Sequence, residues 1–250
     1  MSETLLREWG EHDVLTLTLN RPERRNAVDP ELLAALAEAL RSEGDRAGAV
    51  ILRGAGDKAF CAGYDLDRLT GTSADLEADR YIGDAVAAIR DCPAPVIARL
   101  SGHCQGAGVE LALTCDLRIS APSLFMSVPA VSLGVVYRYE FIARLVVLCG
   151  LARAQALLLG RETLSASAAV LWGLINFVAD QSELDPQVHE LAEKLATSPR
   201  TAVRGTKASL NLLVARAINE VDFEVAQRLR AEAAASPERK AALERRRAKK

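Results

Sequence analysis

The sequence predicts an α/β fold followed by a helical C-terminal region. Three observations carry that reading. Short apolar strands alternate with amphipathic helical patterns through about residue 120. Two of those strands run into segments rich in glycine and alanine, Phe60–Leu66 and Ser101–Leu111. From Glu140 onward only helical periodicity is visible, so no further strand is expected there.

The first strand is Val14–Asn20, where Leu15, Leu17 and Leu19 alternate with Thr16 and Thr18. Arg21-Pro22 ends it. Asp29 then caps a helix that has Pro30 at its first position, puts Leu32, Leu33, Leu36 and Leu40 on one face, and stops before Gly44. Ala49–Arg53 is a short buried strand stopped by Gly54-Ala55-Gly56, and Lys58–Leu66 reads as a loop. A helix covers about Asp75–Arg90, and Pro95–Leu100 is another buried strand. It leads into the loop Gly102–Gly108, a helix through Cys115 and a strand at Leu117–Ser120. The later helices are Glu140–Leu148, Ala152–Leu159, Ser165–Trp172, Gln187–Thr197, Arg200–Ala215 and Glu220–Ala235. No internal repeat of fixed period is visible.

Composition narrows the function classes. The chain has 250 residues, half of them hydrophobic, with 31 Lys+Arg against 33 Asp+Glu. A near-neutral balance argues against a nucleic-acid binder. With 2 Trp, 4 Tyr and 5 Phe, the core must be aliphatic and a base-stacking surface is excluded. Cys61, Cys92, Cys104, Cys115 and Cys149 show no C-x-x-C pair, which excludes the usual metal spacing and fits reduced thiols in a cytoplasm. Met1 to Asp13 is too charged for a signal peptide, and no apolar run is long enough to span a membrane. The segment Glu238–Lys250 carries seven basic residues among thirteen, either a solvated helix end or a contact for a phosphate group.

The two glycine loops are the candidate site. Small residues there let a ligand approach the backbone closely. Gly106-Ala107-Gly108 opens a helix, where N–H groups are free and the dipole favours negative charge. Glu110 lies in that first turn, a carboxylate beside donors that can stabilise an anion. The spacing is not a dinucleotide fingerprint, because position 111 is Leu, and no G-K-[ST] follows to make a P-loop. On these grounds alone the loops read equally as tight packing turns.

Taken together, NRPERRNAV (Asn20–Val28), AFCAGYDL (Ala59–Leu66), GHCQGAGVELALTCDLRIS (Gly102–Ser120), SLG (Ser132–Gly134), WGLINFV (Trp172–Val178) and SPRTAVRGTKASLN (Ser198–Asn211) resemble the crotonase superfamily, the enoyl-CoA hydratase/isomerase family. The resemblance implies a spiral of ββα units over residues 1–195 and a helical C-terminal region over 196–250 that trimerises, as a homotrimer or a dimer of trimers. It implies an acyl-CoA thioester substrate, with CoA as part of the substrate and no metal or redox cofactor. It also implies that the Tyr64 and Ala107 N–H groups polarise the thioester oxygen and stabilise an enolate; losing one such donor removes ~3–4 kcal/mol of transition-state stabilisation. Ala27, Ala62, Gly63, Gly106 and the Asp65-Leu66 backbone would line the CoA path. Arg24 or Arg25 would approach its phosphates, or both are surface arginines.

Glu110 matches the first of two hydratase glutamates. The second is expected after the proline of Val128-Pro129-Ala130-Val131-Ser132-Leu133-Gly134, where this chain has Ala130. Such a group is worth ~10²–10⁴-fold in rate, so the departure leaves three readings: a hydratase or isomerase with one glutamate, a decarboxylase, or a silent acyl-CoA binder. The run Leu133-Gly134-Val135-Val136-Tyr137 is similar to the family's methylmalonyl-CoA decarboxylase branch, which also lacks the second glutamate but has histidine where Tyr64 stands. There Tyr137 would orient a carboxylate or protonate the carbanion; otherwise it packs in the core. Arg138 either meets a substrate carboxylate or is solvated or ion-paired. For His103 a backbone hydrogen bond is expected, and for Asp116 a loop cap or internal salt link.

Overall fold

A computed structural model describes residues 3–218 and 220–248, so Met1 and Lys249-Lys250 of the charged termini lie outside it. The larger of two sheets has six strands. They are β1 (Leu5–Trp9), β2 (Val14–Leu19), β3 (Ala49–Gly54), β5 (Val96–Leu100), β7 (Leu117–Ser120) and β10 (Phe177–Val178), in that spatial order. Only the β1–β2 pair is antiparallel. The smaller sheet orders β4 (Ala59–Cys61), β6 (His103–Gln105), β8 (Phe125–Ser127) and β9 (Thr163–Ser165), with only the last pair antiparallel. Three successive units therefore give one strand to each sheet and then a helix: β3–β4–α2 (Asp75–Asp91), β5–β6–α3 (Ala107–Thr114) and β7–β8–α4 (Tyr139–Cys149). Parallel neighbours require such crossovers, and repeating the unit winds the chain into a spiral.

Strand alternation assigns the two faces of the large sheet. Leu15, Leu17, Leu19, Val50, Leu52, Val96 and Ala98 join the main core, which includes Leu32, Leu33, Leu36 and Leu40 of α1 (Pro30–Glu43). Asp29 caps α1 by accepting from Leu32 N–H at 3.0 Å. Val14, Ala49, Ile51, Ile97 and Ile119 face the other way, under α7 (Leu184–Ala196). That helix buries Leu184, Val188 and Ala192, a stripe spaced by four residues. Every residue of β2 is thus buried, as expected for a strand covered on both faces.

Strands do not stop at Glu140. β9 and β10 follow it, and β9 takes Ser165 from the expected helix, leaving α6 (Ala166–Leu171). Both strands are too short to show a period of their own. β4 and β6 likewise lie inside segments read as loops, and β1 and β8 have no sequence counterpart above. After α5 (Leu151–Leu158), the C-terminal helices are α8 (Arg200–Ala215), α9 (Glu220–Ala235) and α10 (Pro237–Arg247). Buried Lys207 ties α8 to the body through Asp116 at 2.8 Å and the Ile89 and Ala94 carbonyls at 3.1 and 3.0 Å. Asp116 also accepts from Val96 N–H at 2.7 Å, so it is both cap and salt link.

Candidate active site

The site lies where β4 and β6 end. Buried Asn26, at φ 56°, donates to the Ala55 and Ala59 carbonyls at 3.1 and 2.8 Å and fixes the Arg24–Val28 loop. That loop then organises the turn after β4. Ala62 N–H donates to Arg25 O, Val28 N–H to Gly63 O and Asp65 N–H to Val28 O, at 3.0, 2.9 and 2.8 Å. Gly63 N–H is turned to the Cys61 sulfur at 3.4 Å. The Tyr64 N–H between them donates no hydrogen bond among the described residues.

The second loop reaches a similar state by helix geometry. Gly106 N–H is used by Ser127 O at 3.0 Å, and α3 begins at Ala107. A first-turn N–H has no intrahelical acceptor, and none is recorded for Ala107 among the described residues. Two glycines bring the loops into contact. Gly63 (φ 97°) and Gly106 (φ 55°) both hold conformations that disfavour side chains. A Cβ on Gly63 would stand 3.0 Å from Gln105 O and 3.8 Å from Ala107 N. Two unengaged N–H groups therefore sit on touching loops, beside a cleft with about 1040 Å³ of open space. Both residues line that cleft, as do Ala62, Gly63, Leu66 and Gly106.

Glu110, Tyr137 and Arg138 also line it. Arg138 donates from Nε at 2.9 Å and Nη2 at 2.8 Å to one oxygen of Glu110, Oε1. Of the alternatives for Arg138, the structure has the ion pair, with the guanidinium largely buried and resting against Gly83 of α2. Burial pushes the Glu110 carboxyl up, and the Arg138 charge and hydrogen bonds oppose that rise. The Tyr137 phenol is driven well above its usual value by burial, with Glu110 and Asp79 adding to it, so it is a proton donor at neutral pH. Its ring lies 4.9 Å from that of Phe141, and its hydroxyl would be 3.1 Å from a Cβ on Gly106. Core packing and site lining are thus both true of it. Burial raises the Tyr64 phenol to about 12.

The remaining candidates stand further out. Ala27 is buried behind the Tyr64 turn. Arg24 is exposed and paired with Asp67, and Arg25 is exposed, at φ 51°. Asp65 is buried in a triad: Arg21 reaches Asp65 at 2.9 Å and Asp29 at 3.0 Å. His103 departs from expectation. Among the described residues its buried Nδ1 has no partner, and its ring meets Phe125 edge-on at 5.3 Å. Ala130, where the second glutamate was expected, does line the cleft.

Sequence reasoning missed the opposite wall. Asp75 and Asp79 of α2 line the cleft, and each is paired with an arginine of the C-terminal helices. Arg239 reaches Asp75 at 2.6 Å, and Arg230 pairs with Asp79. No motif marks these four residues; they meet only because α9 and α10 fold back over the site.

The fold defines a class, a spiral of ββα units, here with two unengaged N–H groups beside its cleft. Comparison with known proteins gives the family. The family model described as enoyl-CoA hydratase/isomerase matches residues 10–249. The 1,2-epoxyphenylacetyl-CoA isomerase of Escherichia coli is 38% identical over 80% of this chain and 79% of its own. The crotonyl-CoA hydratase of Syntrophomonas wolfei is 34% identical over 80% and 79%. A structure of methylmalonyl-CoA decarboxylase with 2-nitronate-propionyl-CoA superposes with a TM-score of 0.91, covering 99% of this chain and 96% of that one; at 24% identity it shows the fold alone. The chain belongs to the enoyl-CoA hydratase/isomerase family and is an acyl-CoA enzyme of it. Among the described residues, no helix is long and apolar enough to cross a membrane.

Proposed function

We propose that the protein binds an acyl-CoA thioester, places its carbonyl oxygen between the Tyr64 and Ala107 N–H groups and catalyses hydration or isomerisation through the resulting enolate. The observation that carries this reading is the pair of unengaged N–H donors on touching loops. Preorganised donors of this kind are worth most where charge develops in a water-poor site. Glu110 acts as the base or water-orienting group, held in place by Arg138 through one oxygen. No cofactor beyond the CoA of the substrate is needed for this chemistry. The CoA moiety would leave the cleft past Ala62 and Leu66, toward Arg246 at its rim. Exposed Leu210 and Leu213 of α8 and Val221 and Leu229 of α9 support assembly as a homotrimer or dimer of trimers, and five buried free thiols support a cytoplasmic setting.

A second reading is decarboxylation of a malonyl-type ester. It is favoured by the Tyr137 hydroxyl, a buried proton donor beside Gly106. Loss of CO₂ itself generates the enolate, so no base is required. Incubation with enoyl-, malonyl- and methylmalonyl-CoA, followed by mass, separates the readings. Gain of water marks hydration, loss of CO₂ marks decarboxylation, and a moved double bond at unchanged mass marks isomerisation. Binding of every ester without change refutes the enzyme reading. Glu110→Gln should abolish hydration, and Tyr137→Phe should impair decarboxylation only.

A further inference from the structure

The cleft holds carboxylates that the Pro129–Gly134 segment does not supply. Asp75 and Asp79 lie one turn apart on α2, yet their surroundings differ. Both oxygens of Asp75 are consumed. Oδ1 accepts from Thr70 N–H and Oγ1 at 2.7 and 2.8 Å, and Oδ2 accepts from Gly71 N–H and Arg239 at 2.9 and 2.6 Å. Asp79 is bound through Oδ2 alone, by Arg230, and no hydrogen bond to Oδ1 is recorded among the described residues. Arg230 is itself fixed, donating to Val136 O at 3.2 Å and Gln227 Oε1 at 2.9 Å. Glu110 repeats the pattern: Oε1 is held by Arg138, and Oε2 accepts no hydrogen bond among the described residues.

The two carboxylates line the same cleft. Asp79 precedes Gly83 by one helical turn, a spacing that puts both on one face of α2. Gly83 is the seat of the Arg138 guanidinium, whose Nη1 would be 2.5 Å from a Cβ there. The charge of Asp79 acts on Glu110, Arg138 and Tyr137 alike. Burial pushes the Asp79 carboxyl up, against the pull of Arg230.

We infer that Asp79 is the second acid–base carboxylate of this site, working from α2 in place of the residue missing at Ala130. The inference rests on the oxyanion reading above and adds a residue to it. In hydration, the water oxygen bonds to Cβ while Glu110 takes the water proton. The C=C pair moves onto the thioester oxygen held by Tyr64 and Ala107. The enolate then collapses as the Asp79 carboxyl gives its proton to Cα. Glu110 ends protonated and Asp79 ionised, and proton exchange with solvent restores both.

The test uses the full-length protein, Asp79→Asn and two probes. Hydration of crotonyl-CoA reports both carboxylates. The red shift of bound cinnamoyl-CoA reports polarisation by the oxyanion donors and needs no proton transfer. Asp79→Asn should lose about 10²–10⁴-fold in kcat, with the cinnamoyl shift retained. Hydration within threefold of the parent overturns the assignment. Loss of the shift together with hydration also overturns it, because Asp79 would then serve only to hold α9 over the cleft. A parent protein that shifts cinnamoyl-CoA but does not hydrate refutes the role of Asp79 and leaves the oxyanion site standing. Absence of the shift in the parent refutes the oxyanion site itself.

Discussion

Gly83→Ala perturbs the proposed base without touching it. Gly83 lies inside α2, and a helix-interior glycine costs about 1 kcal/mol relative to alanine. On propensity alone, the substitution should stabilise. The new Cβ, however, would stand 2.5 Å from Arg138 Nη1, where ordinary contact begins at 3.4 Å. The guanidinium must retreat by about 1 Å to reach normal van der Waals separation. It is largely buried and holds Glu110 Oε1 at 2.9 and 2.8 Å, so that retreat stretches both bonds. Removing one partner of a buried pair costs about 3–5 kcal/mol, and stretching it forfeits part of that. Weakening the pair therefore raises the Glu110 carboxyl further, because the Arg138 charge and hydrogen bonds oppose the upward push of burial. The sign follows from which form Arg138 favours: it stabilises the carboxylate, so weakening it favours the acid. The acidic limb of kcat/KM for crotonyl-CoA hydration should therefore move to higher pH, with the plateau above it little changed. Arg138→Gln should move the limb further in the same direction. An unmoved limb in Gly83→Ala, in a protein with raised Tm, refutes Arg138 as the group that opposes the upward push of burial on Glu110.

Three further outcomes are expected. Ala107→Pro removes one of the two proposed oxyanion donors at the first helical position, where proline is at home; kcat should fall about 10²–10³-fold with Tm nearly unchanged, and retained activity would exclude that N–H from the mechanism. Lys207→Met leaves Asp116 without its cation and frees two carbonyls under α8; denaturant titration should show a loss of about 3–5 kcal/mol, and a loss under 1 kcal/mol would show that α8 is held otherwise. Asp75 is pushed up by burial, but bonds from Thr70, Arg239 and Gly71 outweigh this and hold its carboxyl below the usual range. Its contribution is thus fully present above about pH 4, its unfolded value, and is lost as pH falls through the lower folded value. Asp75→Asn should flatten the acid side of the stability curve, and an unchanged acid slope would contradict the pairing.

Local chemistry made much of the fold legible. Leu15, Leu17 and Leu19 announce a strand by alternation, and Asp29-Pro30 announces a helix start, because each signal lies within a few consecutive residues. The small sheet was not legible. Ala59–Cys61, His103–Gln105 and Phe125–Ser127 are three residues each, shorter than the run needed to show a period of two, and their partners lie far along the chain. They are strands because the spiral brings them together, a tertiary cause that no short window contains.

The site divides along the same line. Tyr64 sits in a glycine loop, and Ala107 and Glu110 in the first turn of α3, so glycines and a helix start mark them locally. Asp79 has no such mark, since an acidic residue on an amphipathic helix ordinarily faces water. What gives it a different environment is Arg230, 151 positions later, on a helix that folds back over the cleft. Asp75, one turn earlier on α2 and bound instead by Thr70, Gly71 and Arg239, supplies the comparison. A carboxyl with both oxygens bonded has no oxygen left to exchange a proton with the substrate, whereas one anchored through a single oxygen is oriented and leaves the other free to carry the proton. A missing glutamate at Ala130 therefore does not imply a site with one acid–base group, because an acid from α2 can serve the same cleft from the opposite wall.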